Sequence, residues 1–219
     1  MKHRFPLVTL CAVAGALVIW FVPQFSPSLV FERREIAQGE YWRLVTGHWV
    51  HFSVQHLVYN LLALGIAGWL IEWHGFPHFG LLCALSALVI GLSLFVFEPR
   101  IQCYGGLSGI ATAAIIYLAL HSATQGAWQR IVLGVVLLLL GIKLGWEWFA
   151  DQPLLVRNED PSVVVSPLAH LSGALTALMV FVVRRSIDWF KSSQTLTFVE
   201  DTDAGTETMT DWGKSIRSP

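Results

Sequence analysis

The sequence predicts an all-α membrane protein with six spanning helices, on the evidence of its composition and of how its apolar residues are arranged. Of 219 residues, 54% are hydrophobic and 13% are charged, and the mean hydropathy is +0.58. Soluble domains carry roughly 25% charged residues, so this chain has too few to cover a globular surface, which excludes a soluble enzyme. The apolar residues lie in charge-poor blocks, and about 20 of them in a helix cross a bilayer. A net charge of −1 without a basic stripe excludes a nucleic-acid partner.

Six apolar blocks give the predicted spans. They are residues 5–31 (with an apolar core that ends near Pro23), 57–71, 79–97, 104–120, 131–150 and 163–183. A cleaved signal peptide is the alternative for the first block, but its apolar core is long for one and no small-residue cleavage site follows. The segment 24–56 holds aromatic residues, and we expect it to dip into the membrane interface as an embedded loop.

An even number of spans places both termini on one side of the membrane, and the positive-inside rule favours the cytoplasmic side. The basic residues on that side are Lys2, Arg4, Arg130, Arg184, Arg185 and Lys191. We therefore expect a six-helix membrane domain over residues 1–185 and a cytoplasmic tail over 186–219. The tail is polar and acidic, a composition typical of disorder.

A glycine-rich turn precedes a serine at the start of the fourth span. Gly105 and Gly106 come before Ser108, and Gly109 follows it; consecutive glycines let the backbone turn sharply and approach closely. A helix that begins below the membrane surface points free N–H groups and a positive dipole end at its surroundings. These are the parts of a nucleophile with an oxyanion hole. The alternative is a packing seam whose serine bonds its own backbone.

His170 on the sixth span is a candidate base for this serine. Small residues four apart let two helices pack with their backbones nearly touching. They are Gly109 and Ala113 on the fourth span, and Gly173 and Ala177 on the sixth. Such packing would bring the imidazole within reach of Ser108 as a Ser–His dyad. Because no Asp or Glu is evident near His170, the sequence favours a dyad over a triad.

Further polar residues cluster at the start of the second span. His56 and Asn60 are four apart and share one helix face, and both can donate hydrogen bonds to a tetrahedral oxyanion. Metal binding by His48, His51 and His56 is the alternative, although no HExxH motif or nearby carboxylate completes a ligand set. Haem ligation by His56 and His170 is a second alternative, but it leaves Asn60 and the serine unexplained.

Two further sites carry charge inside predicted spans, where ionisable groups are functional candidates. Lys143 and Glu147 are four apart on the fifth span. We interpret them as an ion pair near the outer end of that span, with a polar contact for an entering substrate segment as the alternative. Glu72, at the inner end of the second span, is interpreted as structural and paired with a backbone donor.

Together these motifs resemble those of the rhomboid family of intramembrane serine proteases. The motifs are WRxxT (Trp42, Arg43, Thr46), HxxxN (His56, Asn60), GxSG (106–109) and AHxxG (169–173), in the family's order. The resemblance implies that Ser108 is the nucleophile, that His170 is its base, and that His56, Asn60 and the Ser108 amide hold the oxyanion. His48 and His51 would line a water path or belong to the embedded loop. The structural residues would be Arg43 in that loop, Glu72, Gly106, Gly109 and Gly173.

The resemblance further implies an endopeptidase without metal or other cofactor, acting on transmembrane segments of membrane-anchored proteins, in a bacterial inner membrane. One departure is Thr112, which stands where rhomboids often have a tyrosine stacked on the catalytic histidine. The compact six-span form is also similar to rhombosortases, a bacterial subgroup associated with trimming C-terminal Gly-Gly anchor segments of exported proteins. The alternatives are a catalytically silent rhomboid-like protein that binds membrane clients, a small transporter and a haem-binding protein.

Overall fold

The computed structural model describes the backbone of residues 4–150 and 166–212, and the side chains of those up to Lys191. Within these residues the fold is almost entirely α-helical, which confirms the predicted class. The longer helices are α1 (Leu7–Phe21), α5 (Val54–Trp73), α6 (Phe79–Phe97), α7 (Ser108–Ala123), α8 (Ala127–Ala150) and α9 (Pro167–Trp212). Between α1 and α5 lie α2 (Ser26–Leu29), α3 (Arg33–Ala37), α4 (Arg43–Thr46) and the 3₁₀ turns Pro23–Phe25 and Gly47–Trp49.

The helix lengths support a multi-pass membrane protein but do not establish six spans. Four described helices are long and apolar enough to cross a bilayer, namely Val54–Trp73, Phe79–Phe97, Ala127–Ala150 and Pro167–Lys191. Leu7–Phe21 with Pro23–Leu29 makes a fifth only if this pair, bent by 95°, counts as one span. The remaining predicted span, the fourth (104–120), corresponds to α7, whose 16 residues extend about 24 Å at 1.5 Å per residue. Because a hydrocarbon core is about 30 Å thick, at least one end of α7 lies inside the membrane.

The fourth predicted span begins later in the structure than the sequence indicated. Residues Cys103–Tyr104 form strand β2, which pairs antiparallel with β1 (Phe31–Glu32). Gly105 and Gly106 then turn the chain, and α7 starts only at Ser108. The two-stranded pair ties the segment after α1 to the start of α7.

Two arginines hold the segment between α1 and α5 in place. Arg33 donates to four carbonyls at the end of α6 and just beyond it: Leu94 (2.7 Å), Phe95 (2.7 Å), Glu98 (2.8 Å) and Ile101 (2.9 Å). The last carbonyls of a helix have no intrahelical partner, and inside a membrane this side chain replaces the missing water. Arg33 therefore caps α6.

Arg43 is buried and binds three acceptors within the same segment. Its guanidinium contacts Glu40 Oε2 (2.6 Å), Pro27 O (2.7 Å) and Val30 O (3.0 Å). The embedded loop is thus folded around a paired, hydrogen-bonded charge, the condition under which a buried charge is tolerated.

Glu72 anchors α1 to α5. Its carboxylate accepts hydrogen bonds from Val8 N (3.0 Å), Thr9 N (2.9 Å) and Thr9 Oγ1 (2.6 Å). The first amides of a helix lack intrahelical acceptors, and a carboxylate there also complements the positive end of the helix dipole. The sequence predicted a backbone donor for Glu72, and the structure shows that the amides of the N-terminal turn of α1 are the donors.

The backbones of α7 and α9 approach closely, as the small-residue pattern predicted. A Cβ added at Gly173 would collide with the carbonyl oxygen of Gly109, and one at Gly109 would lie 2.8 Å from Ala169 O and 2.7 Å from Ile90 Cδ1. Glycine is required at both positions because no larger residue fits between the helices. This confirms the predicted close packing.

The last helix continues to Trp212 and so enters the acidic segment for which the composition predicted disorder. Once a helix exists, each further residue adds a hydrogen bond at little cost, and no proline follows Pro167 before the end of the helix. Residues up to Met179 belong to one compact unit and those from Val180 to a second. The division of the chain into a membrane domain and a cytoplasmic tail at residue 185 stays a prediction.

We expect Glu72→Gln to lower the free energy of unfolding by about 1.5–3 kcal/mol, the worth of hydrogen bonds to a charged group. Thr9→Val, which removes one of the three donors, should cost less than Glu72→Gln. Thermal unfolding of the purified protein in detergent, followed by circular dichroism, measures both. A Glu72→Gln protein as stable as the wild type would contradict the anchoring role.

Gly173→Ala should destabilise the protein by about 1–3 kcal/mol, as overpacking of a close contact does. Gly65→Ala is the matched control, because a Cβ at Gly65 meets no atom within 4 Å and alanine favours a helix over glycine by about 1 kcal/mol. The same thermal unfolding measurement compares the two. Equal stability of both variants would show that α7 and α9 are less closely packed than described.

Candidate active site

Ser108 is the first residue of α7 and follows a buried glycine turn. Gly106 has φ +121°, a conformation that glycine adopts readily and other residues rarely. The turn directs the free amides of the first helical turn, and the positive end of the helix dipole, toward the space beside Ser108. The Ser108 side chain is half-buried, so the hydroxyl is not sealed in a packed core.

His56 and Asn60 lie directly against this turn. A Cβ added at Gly106 would be 2.5 Å from His56 Cε1, 2.6 Å from its Nε2 and 3.3 Å from Asn60 Nδ2. Gly106 is therefore required both by its φ and by the space that these side chains occupy. The structure brings both sequence-predicted oxyanion residues to the glycine turn that leads into Ser108.

Asn60 carries an unused donor at this position. Its Nδ2 is buried and has no hydrogen-bond partner among the described residues, and the same holds for Nδ1 of His56. A buried donor without a partner costs about 1–3 kcal/mol, so such groups are rare in folded proteins and require an explanation. Donors that await a negative charge during a reaction provide one.

His170 is buried on α9, one residue from the contact between α7 and α9. Ala169 O faces Gly109, so the backbone neighbours of the serine and the histidine meet. Among the described residues no hydrogen bond joins the Ser108 hydroxyl to either ring nitrogen of His170. Catalytic hydrogen bonds are often long or misaligned before substrate binds. His56 lies within electrostatic range of His170.

The ring nitrogens of His170 contact charged groups of α8. Lys143 Nζ lies 3.1 Å from Nδ1 and 3.3 Å from Nε2, and Glu147 Oε2 lies 3.2 Å from Nδ1. Lys143 and Glu147 also pair with each other at 2.5 Å, as the sequence indicated. The expectation that no carboxylate lies near His170 is wrong, because sequence spacing does not reveal which residues of two separate helices face each other.

Tyr104 also belongs to this site, although no motif in the sequence marks it. Its hydroxyl donates to Gly106 O at 3.5 Å and lies near the side chain of Ser108. Burial raises the pKa of Tyr104 above its usual value, so the phenol is neutral at neutral pH. The available signal is a tyrosine directly before two glycines, but its position at the start of an apolar block favours a spanning helix instead.

Among the described residues, Thr112 makes no hydrogen bond to His170. Its hydroxyl donates to the carbonyl of Ser108, one turn earlier on α7, at 2.9 Å. Back-bonding of this kind keeps a threonine hydroxyl on its own helix. Thr112, which replaces the tyrosine common in rhomboids, is thus hydrogen-bonded to the backbone of its own helix.

His48 and His51 belong to the loop that supports the site. His48 is fully buried, and its Nε2 contacts Ala87 O at 2.9 Å; burial lowers its pKa, although two backbone hydrogen bonds oppose this. His51 packs its ring against His56 with centroids 5.1 Å apart. Burial, and then the charge of His56, lower the pKa of His51 to about 3, so both loop imidazoles are neutral at neutral pH. His48 fits the loop role, because a buried imidazole bonded to a carbonyl does not line a water path.

The metal hypothesis finds no geometric support in residues 4–150 and 166–191. No group of three or more His, Cys, Asp or Glu side chains in these ranges could hold a metal ion. In addition, Nε2 of His48 is already hydrogen-bonded to the carbonyl of Ala87, so it is not free to bind a metal ion.

Comparison with known proteins assigns the family. The family model described as the Rhomboid domain matches residues 38–186. The rhomboid protease GluP of Bacillus subtilis is 31% identical over 119 residues, which cover 52% of this chain and 23% of that protein. The rhomboid protease GlpG of Salmonella newport is 28% identical over 172 residues, which cover 76% of this chain and 54% of that protein.

The chain thus spans only part of the length of each of these relatives. The family match nevertheless covers more than half of the chain, and it contains the glycine turn, both candidate oxyanion side chains and the α8–α9 contact. These are the features that the structure brings together around Ser108. The chain belongs to the rhomboid family.

Proposed function

We propose that this protein is an intramembrane serine endopeptidase that hydrolyses a peptide bond in or beside a transmembrane segment of its substrate. The observation that carries the proposal is the position of Asn60 Nδ2, a buried donor without a partner among the described residues, beside the glycine turn before Ser108. Family membership supports the same activity, since the similar proteins GluP and GlpG are named as rhomboid proteases.

The proposed reaction uses Ser108 as nucleophile and His170 as base. His170 removes the hydroxyl proton as Ser108 attacks the carbonyl carbon, and the carbonyl oxygen becomes an oxyanion. Asn60, His56 and the Ser108 amide donate to this oxyanion, which preorganised donors stabilise best in a water-poor site. The intermediate collapses to an acyl-enzyme while His170 gives its proton to the leaving amine. Water, deprotonated by His170, then attacks the ester, the bond to the Ser108 oxygen breaks, and His170 returns the proton to that oxygen as the second product leaves.

The proposed substrates are membrane-anchored proteins whose transmembrane segments approach laterally beside α8. Most of this helix is exposed, as a lipid-facing helix is. The narrower proposal is a rhombosortase that trims C-terminal Gly-Gly anchor segments of exported proteins. We further propose a location in a bacterial inner membrane, with both termini cytoplasmic and residues 186–219 as the tail. We also propose that this chemistry uses no metal or other cofactor.

A catalytically silent, client-binding protein is the second candidate. Its support is the lack of a hydrogen bond between Ser108 and His170 in the described structure. A protein of this kind captures membrane clients but has no activated serine, so reactivity of Ser108 separates the two functions.

Ser108→Ala and His170→Ala should both abolish labelling by a fluorophosphonate probe, because the first removes the nucleophile and the second its base. Labelling of the purified protein in detergent, read by gel fluorescence, is the measurement. Ser122→Ala, at the opposite end of α7, is the matched control and should label like the wild type. A folded wild-type protein that does not label would favour the silent alternative.

Asn60→Ala and His56→Ala should lower the labelling rate constant by about 10²–10³, the cost of removing one oxyanion donor. The phosphonyl oxygen of the probe occupies the same position as the oxyanion, so no natural substrate is needed. His74→Ala, at the other end of α5, serves as control for loss of an imidazole. Labelling of both site variants at the wild-type rate would remove them from the oxyanion hole.

A further inference from the structure

Helix α8 buries a single residue, and that residue is charged. Among its described residues, 127–150, only Glu147 is buried, with 5% of its surface exposed. The remaining residues of α8 are apolar for the most part, and each is exposed or half-buried. A carboxylate is among the most costly groups to place in a membrane, and such groups mark functional sites.

The carboxylate of Glu147 is shared between two partners. Oε1 pairs with Lys143 Nζ at 2.5 Å, while Oε2 lies 3.2 Å from His170 Nδ1. In this rotamer Oε2 accepts no aligned hydrogen bond from the described residues. A buried carboxylate oxygen with spare accepting capacity therefore sits at contact distance from one particular nitrogen of the proposed base.

Lys143 does not form an aligned hydrogen bond with His170. Its Nζ is nearly equidistant from the two ring nitrogens, at 3.1 and 3.3 Å, so it is not aligned with the lone pair of either one. Its shorter contact is with Glu147. Lys143 thus holds the buried carboxylate in position.

We propose that Glu147 is the positioning residue of His170, which makes the site a Ser–His–Glu arrangement. The inference rests on the proposed function. His170 donates its Nδ1–H to Glu147 Oε2, which leaves the Nε2 lone pair free for the Ser108 proton. In the reaction the Ser108 O–H bond breaks, an Nε2–H bond forms, and the Nδ1 proton stays on the ring. The carboxylate stabilises the imidazolium that results.

A purely structural ion pair that ties α8 to α9 is the competing explanation. Such a pair would affect how much protein folds but not the reactivity of the folded fraction. A positioning residue affects the reaction rate of correctly folded protein, and it determines which ring nitrogen carries the proton. These two consequences separate the explanations.

The first experiment measures fluorophosphonate labelling of Glu147→Gln in detergent as a function of probe concentration. We expect the maximal labelling rate to fall at least tenfold, with about 10⁴ as the upper bound known for a carboxylate that orients a catalytic histidine. The probe concentration at half-maximal rate should stay unchanged. Glu72→Gln is the matched control, because that carboxylate anchors α1 and should leave the rate of the folded fraction unaltered.

Conservative replacement adds a second comparison. Glu147→Asp keeps the charge and should label faster than Glu147→Gln. Equal rates for wild type and Glu147→Gln would overturn the proposal, and so would an aspartate variant that is no faster than the glutamine variant.

The second experiment uses the wild-type protein, so its result does not depend on whether a Glu147 variant folds. Solid-state ¹⁵N NMR of ¹⁵N-histidine-labelled wild-type protein in bilayers reports which imidazole nitrogen is protonated, and the His170→Ala spectrum identifies the His170 signals. We expect Nδ1–H with an unprotonated Nε2. The opposite tautomer would overturn the proposal.

The labelling experiment distinguishes failure of this proposal from failure of the proposed function. A wild-type protein that fails to label at all would overturn both. A wild-type protein that labels, with a Glu147→Gln variant that labels at the same rate, would overturn only the role of Glu147.

Discussion

The close approach of α7 and α9 is the constraint on which the rest of the site depends. Inside a bilayer no hydrophobic effect drives helices together, so small residues that allow backbone contact determine which helices pair. Gly109 and Gly173 provide this contact. Ser108 and His170 stand beside it on their respective helices, and their proximity follows from backbone packing rather than from any bond between the two side chains.

Charge among apolar helices is the second constraint, and the protein meets it by giving carboxylates and guanidinium groups several hydrogen-bond partners. Glu72 is held by the first amides of α1, and Arg33 by the last carbonyls of α6. In both cases a charged side chain satisfies helix ends that have no water to bind. Glu147 differs from these residues, because one of its oxygens faces the proposed base instead of a helix end.

The sequence predicted much of the site because its signals were local. His56 and Asn60 share one helix face at spacing i, i+4, and the glycine turn before Ser108 is visible in four consecutive residues. The sequence does not predict a place for Tyr104 in the site, and it predicts Glu147 only as the partner of Lys143. Their contacts with Ser108 and His170 depend on a strand pairing and on the rotation of α8, neither of which has a periodic signature.

The sequence by itself determined the membrane class, the order of the apolar helices and the closely packed faces of α7 and α9. It also showed which polar residues lie within apolar helices and are therefore candidates for function. It did so because transfer of charged groups into lipid is costly and because only small residues allow backbones to touch. Tertiary structure alone decided that α7 is too short to cross the membrane unaided, and which carboxylate faces His170. The start of α7 depends on a pairing between residues 31–32 and 103–104, and the facing of Glu147 depends on how α8 is rotated. Contacts between residues far apart in the chain leave no local pattern for a sequence to reveal.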